Sequence, residues 1–191
     1  MLERNTTRIS KFVRDFLSFS KGRGVRASAC DPVAIAREVV ELYSQQAEAS
    51  GVKLTCEAPA PVAQANLDFE AMHECLTNLV GNAIDACLTS DNQDAAAVAL
   101  RVLDERDSLI FEIEDNGVGM DYDVKQKVFT TFFTTKGLGG TGLGLLTTRR
   151  IVQEHGGRIE LDTTPGEGTV FRIEMPRARL PEVDPEADGA D

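Results

Sequence analysis

The sequence predicts an α+β fold, a mixed and mostly antiparallel sheet with helices layered on one face and one further helix ahead of it. Three observations carry this reading. Apolar residues recur at helical spacing in three long segments, about 31–49, 68–88 and 142–155. Two strand pairs read as hairpins: about 96–103 with 108–115, and RIELDTT with TVFRIEMP joined by PGEG. The helices alternate with the strand pairs along the chain, an order that layers helices against a sheet.

The 191 residues suffice for one packed domain and an appendage. A net charge of -11 argues against general nucleic-acid binding, which needs basic faces. A single nucleotide is compatible with it, since backbone N–H groups and a metal can hold phosphates. No apolar run approaches a membrane span, and the start MLERNTTRISKF lacks the apolar core of a secretory signal. Cys30, Cys56, Cys75 and Cys87 show neither CxxC pairing nor ligand spacing, so reduced, mostly buried thiols in a cytoplasmic protein are expected.

In order, residues 2 to about 21 read as a helix with Ile9, Phe12, Val13, Phe16 and Leu17 in one stripe. That stripe packs either on its own domain or in the seam of a helical bundle. Residues 22–30 form a glycine-broken connector. Asp31-Pro32 caps the next helix, whose apolar face is Val33, Ala36, Val39, Val40 and Tyr43. Gly51 ends it, VKLTCEA is a strand, and Pro59/Pro61 mark a loop. The helix from Asp68 buries Phe69, Met72, Leu76, Leu79, Val80, Ala83 and Ala86. Gly156-Gly157 stop the last helix. Beyond Pro176 the acidic segment 177–191 is expected to be disordered.

The chemistry concentrates between Asp115 and Leu145. EDNGVGM follows an apolar strand, and TTKGLGGTGLGL leads into a helix. A carboxylate at a strand end and glycines at a helix start suggest a nucleotide cleft, with Asp115 taking the base and the helix N-terminus the phosphates. On the helix 68–88, Glu74, Asn78 and Asn82 are spaced by four and share a face, with Asp85 near it. Asparagines in mid-helix cost propensity, and amide oxygens facing a cleft suit a hard cation such as Mg2+.

NLVGNAIDA, DNGVGM, VFTTFFTTK and GTGLGL, in that order, resemble the N, G1, F and G2 boxes of the histidine-kinase catalytic domain, in the superfamily shared with gyrase, Hsp90 and MutL. The resemblance spans about residues 31–176 and implies the two-layer α/β sandwich called the Bergerat fold, with ATP and Mg2+ as ligands. It implies that Asn82 coordinates Mg2+ with Asn78 in support, that Asp85 lies on the same wall, and that Asp115 accepts the adenine amino group. Gly117, Gly119 and Met120 would pass close to the base. Phe132 and Phe133 match the F box at the root of a lid over about 121–141, and Lys136 would reach phosphate oxygens. Gly140, Thr141, Gly142, Leu143, Gly144 and Leu145 match G2, and Thr169, in the matching closing strands, would be a further cofactor-binding residue. In ATP-hydrolysing members a glutamate general base stands at the position of Asn78. An amide cannot take that proton, so Asn78 favours a kinase.

The segment RISKFVRDFLSFSK is similar to the end of the second helix of the kinase dimerisation hairpin, which tips its reading toward a bundle seam and a weak homodimer. Residues 31–176 would then be the catalytic domain. No first hairpin helix with its phosphoacceptor histidine is present, so that histidine would be supplied in cis or trans, with a response-regulator receiver domain downstream. His73, in HECLT, sits on the asparagine helix itself and reads as a partly exposed helix histidine. His155, before Gly156-Gly157, reads as a structural imidazolium at a helix end. G-x-G-x-x-G at 137–142 follows a run too polar for a buried strand, and no P-loop stretch occurs. Two alternatives remain: a serine kinase resembling anti-sigma factors, or a non-catalytic nucleotide-gated interaction module.

Overall fold

A computed structural model describes residues 24–90, 95–130 and 142–184. The expected N-terminal helix, Phe132, Phe133, Lys136, Gly140, Thr141 and the G-x-G-x-x-G stretch before Gly142 lie outside the described residues. The elements are β1 (Ser28–Cys30), α1 (Pro32–Ala49), β2 (Lys53–Glu57), β3 (Ala65–Leu67), α2 (Phe69–Leu88), β4 (Ala97–Glu105), β5 (Ser108–Asp115), α3 (Tyr122–Lys127), α4 (Gly144–Glu154), β6 (Arg158–Thr164) and β7 (Gly168–Pro176).

Five strands form the main sheet in the order β2-β4-β5-β7-β6. β2 runs parallel to β4, and the other three pairings are antiparallel. The sheet is therefore mixed and mostly antiparallel, as expected. One face of it is apolar because the strands alternate: Val98, Leu100 and Val102 on β4, Leu109, Phe111 and Ile113 on β5, and Phe171, Ile173 and Met175 on β7 are all buried. Ile35, Ala36 and Val39 of α1, Leu76, Leu79, Val80 and Ile84 of α2, and Ile151 and Val152 of α4 share that core. Each large side chain so buried contributes roughly 1.5–3 kcal/mol.

The opposite face carries paired charge. Arg101 bridges Glu57, Glu112 and Glu114, while Arg172 bridges Glu105 and Glu112. Arginines and glutamates there occupy facing positions across neighbouring strands.

Both long helices start where their caps require. Asp31 accepts the Val33 N–H at 2.8 Å, and Asp68 accepts that of Ala71 at 3.0 Å. Phe69 is 37% exposed rather than buried, since it precedes the covered part of α2; it stacks on half-buried His73 instead.

Three expectations change. The connector is not wholly irregular: Ser28–Cys30 pair antiparallel with Ala65–Leu67 in a separate two-stranded sheet. Three-residue strands carry too little periodicity to be read, and pairing across α1 and β2 creates them. Part of the segment assigned to the lid over about 121–141, Tyr122–Lys127, is a short helix capped by Asp121, which accepts the Val124 N–H at 2.8 Å. The chain also does not lose structure at Arg177. Residues Arg177–Arg179 form a 3-10 turn, Leu180 packs against the core, and the Asp184 N–H donates to the Ala27 carbonyl at 2.7 Å. The Arg177 guanidinium explains this, since it bonds the Asp104 carboxylate and the carbonyls of Ala63 and Gln64. Residues 185–191 lie outside the described residues.

Candidate functional site

The site is built where α2, the end of β5 and the start of α4 meet. Asn78 and Asn82 are half-buried on α2. A Cβ added to Gly144, the first residue of α4, would stand 3.5 Å from Asn78 Oδ1, so the amide faces that helix start. Leu143, at the N-cap, has a buried aliphatic side chain with no acceptor to cap the helix. An anion is the natural complement of such a helix start. Gly142 adopts a φ of 67°, the left-handed turn that lets the chain enter the helix. Leu145 is half-buried against the core. Asp85 lies near Tyr43 of α1, where its charge and burial together push the phenol pKa up, burial being the larger cause. The Tyr43 hydroxyl donates to the Thr77 carbonyl at 3.2 Å and occupies the space above Gly81.

Asp115, at the end of β5, is 5% exposed. Burial pushes its carboxyl from the ordinary 3.8 up to about 6, against the pull of N–H bonds from Gly117 and Thr169. The Gly117 N–H donates to Asp115 Oδ1 at 2.9 Å. This is a carboxylate with fixed donors and little water, arranged to accept hydrogen bonds from a bound group.

The glycines of the first turn are also required by the protein's own packing. A Cβ on Gly117 would lie 2.5 Å from the Ala86 carbonyl carbon, at the end of α2. On Gly119, with φ of 63°, it would run into the Thr164 carbonyl oxygen. Crowding by the protein's own backbone thus already demands glycine at both positions. Asn116, just ahead of them, pins the turn: its Nδ2 donates to the Ala95 carbonyl at 2.7 Å, and its Oδ1 accepts the Ala97 N–H at 2.8 Å. Half-buried Met120 donates its N–H to Thr163 Oγ1 at 3.0 Å.

Asn78 thus faces the start of α4 at Gly144, with Asn82 one turn further along α2, while Asp115, Gly117, Gly119, Met120 and Thr169 are joined around the end of β5 and the β6–β7 hairpin, and Asp85 lies toward α1. Sequence reasoning missed Thr163, Gly168 and Phe129. Thr163 pairs directly with Thr169 across the hairpin, a relation only the register reveals. Gly168 has φ of 121°, and a Cβ there would meet the Asp115 carbonyl oxygen. Phe129 sits edge-on to Phe171, with the Arg149 guanidinium 5.9 Å from its ring centroid. That contact ties the segment after α3 to α4 by a cation–π interaction.

His155 is a correction. It is fully buried, its Nε2 accepts the Asp68 N–H at 3.0 Å, and its Nδ1 lies 2.8 Å from the Ile151 carbonyl. An amide N–H can only donate, so Nε2 carries no proton and Nδ1–H donates to Ile151. The ring is a neutral bridge, because an imidazolium would set two donors against each other.

The fold is a two-layer α/β sandwich, with the candidate site residues where its helices meet the end of β5. The chain belongs to the histidine kinase-, DNA gyrase B- and HSP90-like ATPase family, whose model matches residues 67–179. It is 33% identical over 187 residues to the sensor kinase CckA of Brucella abortus (strain 2308), covering 92% of this chain and 20% of that protein. Among solved structures, full-length ShkA in complex with AMPPNP superposes with a TM-score of 0.77 at 25% identity, covering 87% of this chain and 35% of that one. The histidine kinase ThkA in complex with the response regulator TrrA superposes with a TM-score of 0.76 at 25% identity, covering 93% and 49%. The chain spans between 20% and 37% of the length of the protein relatives it matches.

Proposed function

We propose that this chain is the Mg-ATP-binding catalytic module of a sensor histidine kinase. It would present the γ-phosphate to a histidine on a dimerisation-hairpin helix, in cis or trans, for relay to a response-regulator aspartate. The observation that carries the reading is the buried Asp115 carboxyl, hydrogen-bonded by the N–H groups of Gly117 and Thr169; Asn78, facing the start of α4, supports it. ShkA's complex with AMPPNP supports ATP as the ligand, and ThkA's complex with TrrA supports a receiver domain as partner.

The donor set suits Mg2+. Asn78 and Asn82 offer neutral amide oxygens, and among the described residues no group of three or more His, Cys, Asp or Glu could hold a metal unaided. Asn82, supported by Asn78, would hold the ion together with phosphate oxygens. When bound, the ion would supply charge neutralisation on the phosphates. The chain's own part is positioning: Asp115 orients the base, and the α4 start holds phosphate. Lys136, Phe132, Phe133, Gly140 and Thr141 complete the proposed site. Asn78 cannot act as a base toward water, which protects the γ-phosphate until its acceptor arrives. We place the module in the cytoplasm, where ATP is supplied; no described helix is long and apolar enough to cross a membrane.

The test is calorimetric titration with Mg-ATP, followed by transfer of labelled γ-phosphate to a supplied hairpin. Asn82→Ala should abolish the metal-dependent part of the affinity. Equal affinity with and without metal in the parent would remove Asn82 from the ligand set. Label appearing on a partner serine instead of a histidine would replace the histidine-kinase reading with the serine-kinase one.

A further inference from the structure

Asp115, Thr169 and Thr163 stand in one row across three adjacent strands. Asp115 of β5 pairs with Thr169 of β7, and Thr169 pairs with Thr163 of β6. Directly paired residues project to the same face of a sheet, so the carboxyl and the two hydroxyls are lateral neighbours.

The protons in this row have one consistent assignment. Thr163 Oγ1 lies 2.9 Å from the Gly168 carbonyl, which can only accept, so the single Thr163 hydroxyl proton is committed there. Thr163 Oγ1 also receives the Met120 N–H at 3.0 Å. Its remaining contact is Thr169 Oγ1 at 3.1 Å, and with the Thr163 proton already placed, Thr169 must be the donor. The Thr169 proton therefore points along the row away from Asp115. Its lone pairs are left beside a carboxyl that is itself an acceptor when ionised.

We propose that Thr163 is a specificity-determining residue that acts through Thr169. By fixing the direction of the Thr169 hydroxyl, it makes the base pocket a pair of adjacent acceptors, selective for a purine with an exocyclic 6-amino group. An amino group brings two N–H donors to such a pair. A 6-oxo base would set a carbonyl oxygen against it, and relief would require the Thr169 hydroxyl to turn, which the Thr163 bond opposes. The inference rests on the nucleotide reading above and adds the discrimination at its base pocket. Thr163 touches no part of the base itself; it is a positioning residue.

The experiment titrates the full chain with ADP and with IDP, which differ in the 6-substituent and the N1 proton and share the phosphate chain. Thr163→Val removes the hydroxyl at nearly constant volume, Thr163→Ser keeps it, and thermal unfolding of each variant reports the fold. The parent should favour ADP. Thr163→Val should reduce the ADP:IDP affinity ratio by about fivefold, the worth of roughly one hydrogen bond, while Thr163→Ser keeps the parental ratio. A Thr163→Val protein that folds and keeps the parental ratio, or loses both affinities in equal proportion, would overturn the proposal. So would a drop in the ratio for Thr163→Ser, which would assign the effect to the methyl group. If Thr163→Val does not fold, Thr169→Val decides: an unchanged ratio rejects the polarity argument, and a reduced one upholds it together with Thr163→Ser. A parent chain that binds neither nucleotide would overturn the nucleotide reading and this inference with it.

Discussion

The Nε2 atom of His155 accepts the backbone N–H of Asp68 at 3.0 Å, across 87 residues of sequence. Asp68 is the N-cap of α2, and its carboxylate also accepts the Ala71 N–H at 3.0 Å and the Arg26 N–H at 2.9 Å. The end of α4, the start of α2 and the segment entering β1 are thus joined at one residue. Both helices carry site groups further along, Asn78 and Asn82 on one and Gly144 on the other. Replacing His155 with alanine should cost roughly 2–4 kcal/mol, from a buried N–H left without its partner and a cavity in the core. Denaturant titration measures it. A variant as stable as the parent would show that the bridge contributes nothing to the fold.

Asp115 holds function at the expense of stability. Its folded pKa of about 6 lies above the ordinary 3.8, so between those values the folded protein binds more protons than the unfolded one. Stability from this group is present below about pH 4 and is lost as pH rises through 6. At neutral pH the ionised carboxylate costs on the order of 3 kcal/mol. Asp115→Asn should therefore raise the melting temperature of the nucleotide-free protein at pH 7, with the gain vanishing toward pH 4. Nucleotide affinity should collapse in the same variant. A melting temperature lowered at pH 7 would contradict the burial penalty.

Two glycines in the β6–β7 hairpin separate backbone strain from collision. Gly166 has φ of 80° with nothing within 4 Å of an added Cβ. Gly168 has φ of 121°, and its Cβ would strike the Asp115 carbonyl oxygen and approach Asn116 Cα at 2.8 Å. Gly166→Ala should cost roughly 1 kcal/mol, and Gly168→Ala roughly 3 kcal/mol or more. Only Gly168→Ala should also weaken nucleotide binding, because it displaces Asp115. Equal losses in thermal unfolding would place the strain in φ alone.

Truncation after Pro176 should lower the melting temperature. It removes Arg177, whose guanidinium reaches Asp104 at 2.7 Å and holds that carboxyl below the usual carboxylate range. Because the Asp104 pKa is depressed, the stability from this pair is present at neutral pH and lost as pH falls into the acid range. Arg177→Met should reproduce part of the loss and flatten that acid limb. A truncated chain with unchanged melting would show that residues 177–184 rest on the domain without supporting it.

The legible parts of the site were those written in contiguous residues. The DNGVGM turn, the asparagines four apart on α2 and the glycine start of α4 each follow from local spacing, and the structure brings Asn78 beside Gly144. The roles of individual atoms were less legible. At Gly117 and Gly119 the sequence did not show that Ala86 and Thr164 backbone already fill their Cβ positions. His155 suggested a charged helix end, whereas its partner is a backbone N–H brought from 87 residues away.

Periodicity and capping by themselves determined the three long described helices with most of their core-facing residues, and the two hairpins. These depend on interactions within a few residues, where propensity, alternation and cap chemistry act. Only the tertiary structure decided the strand order β2-β4-β5-β7-β6, the small β1–β3 sheet, the anchoring of Arg177 and the row Asp115–Thr169–Thr163. Those are pairings between distant segments, set by register and by which backbone donors and acceptors remain to be satisfied once the core has closed.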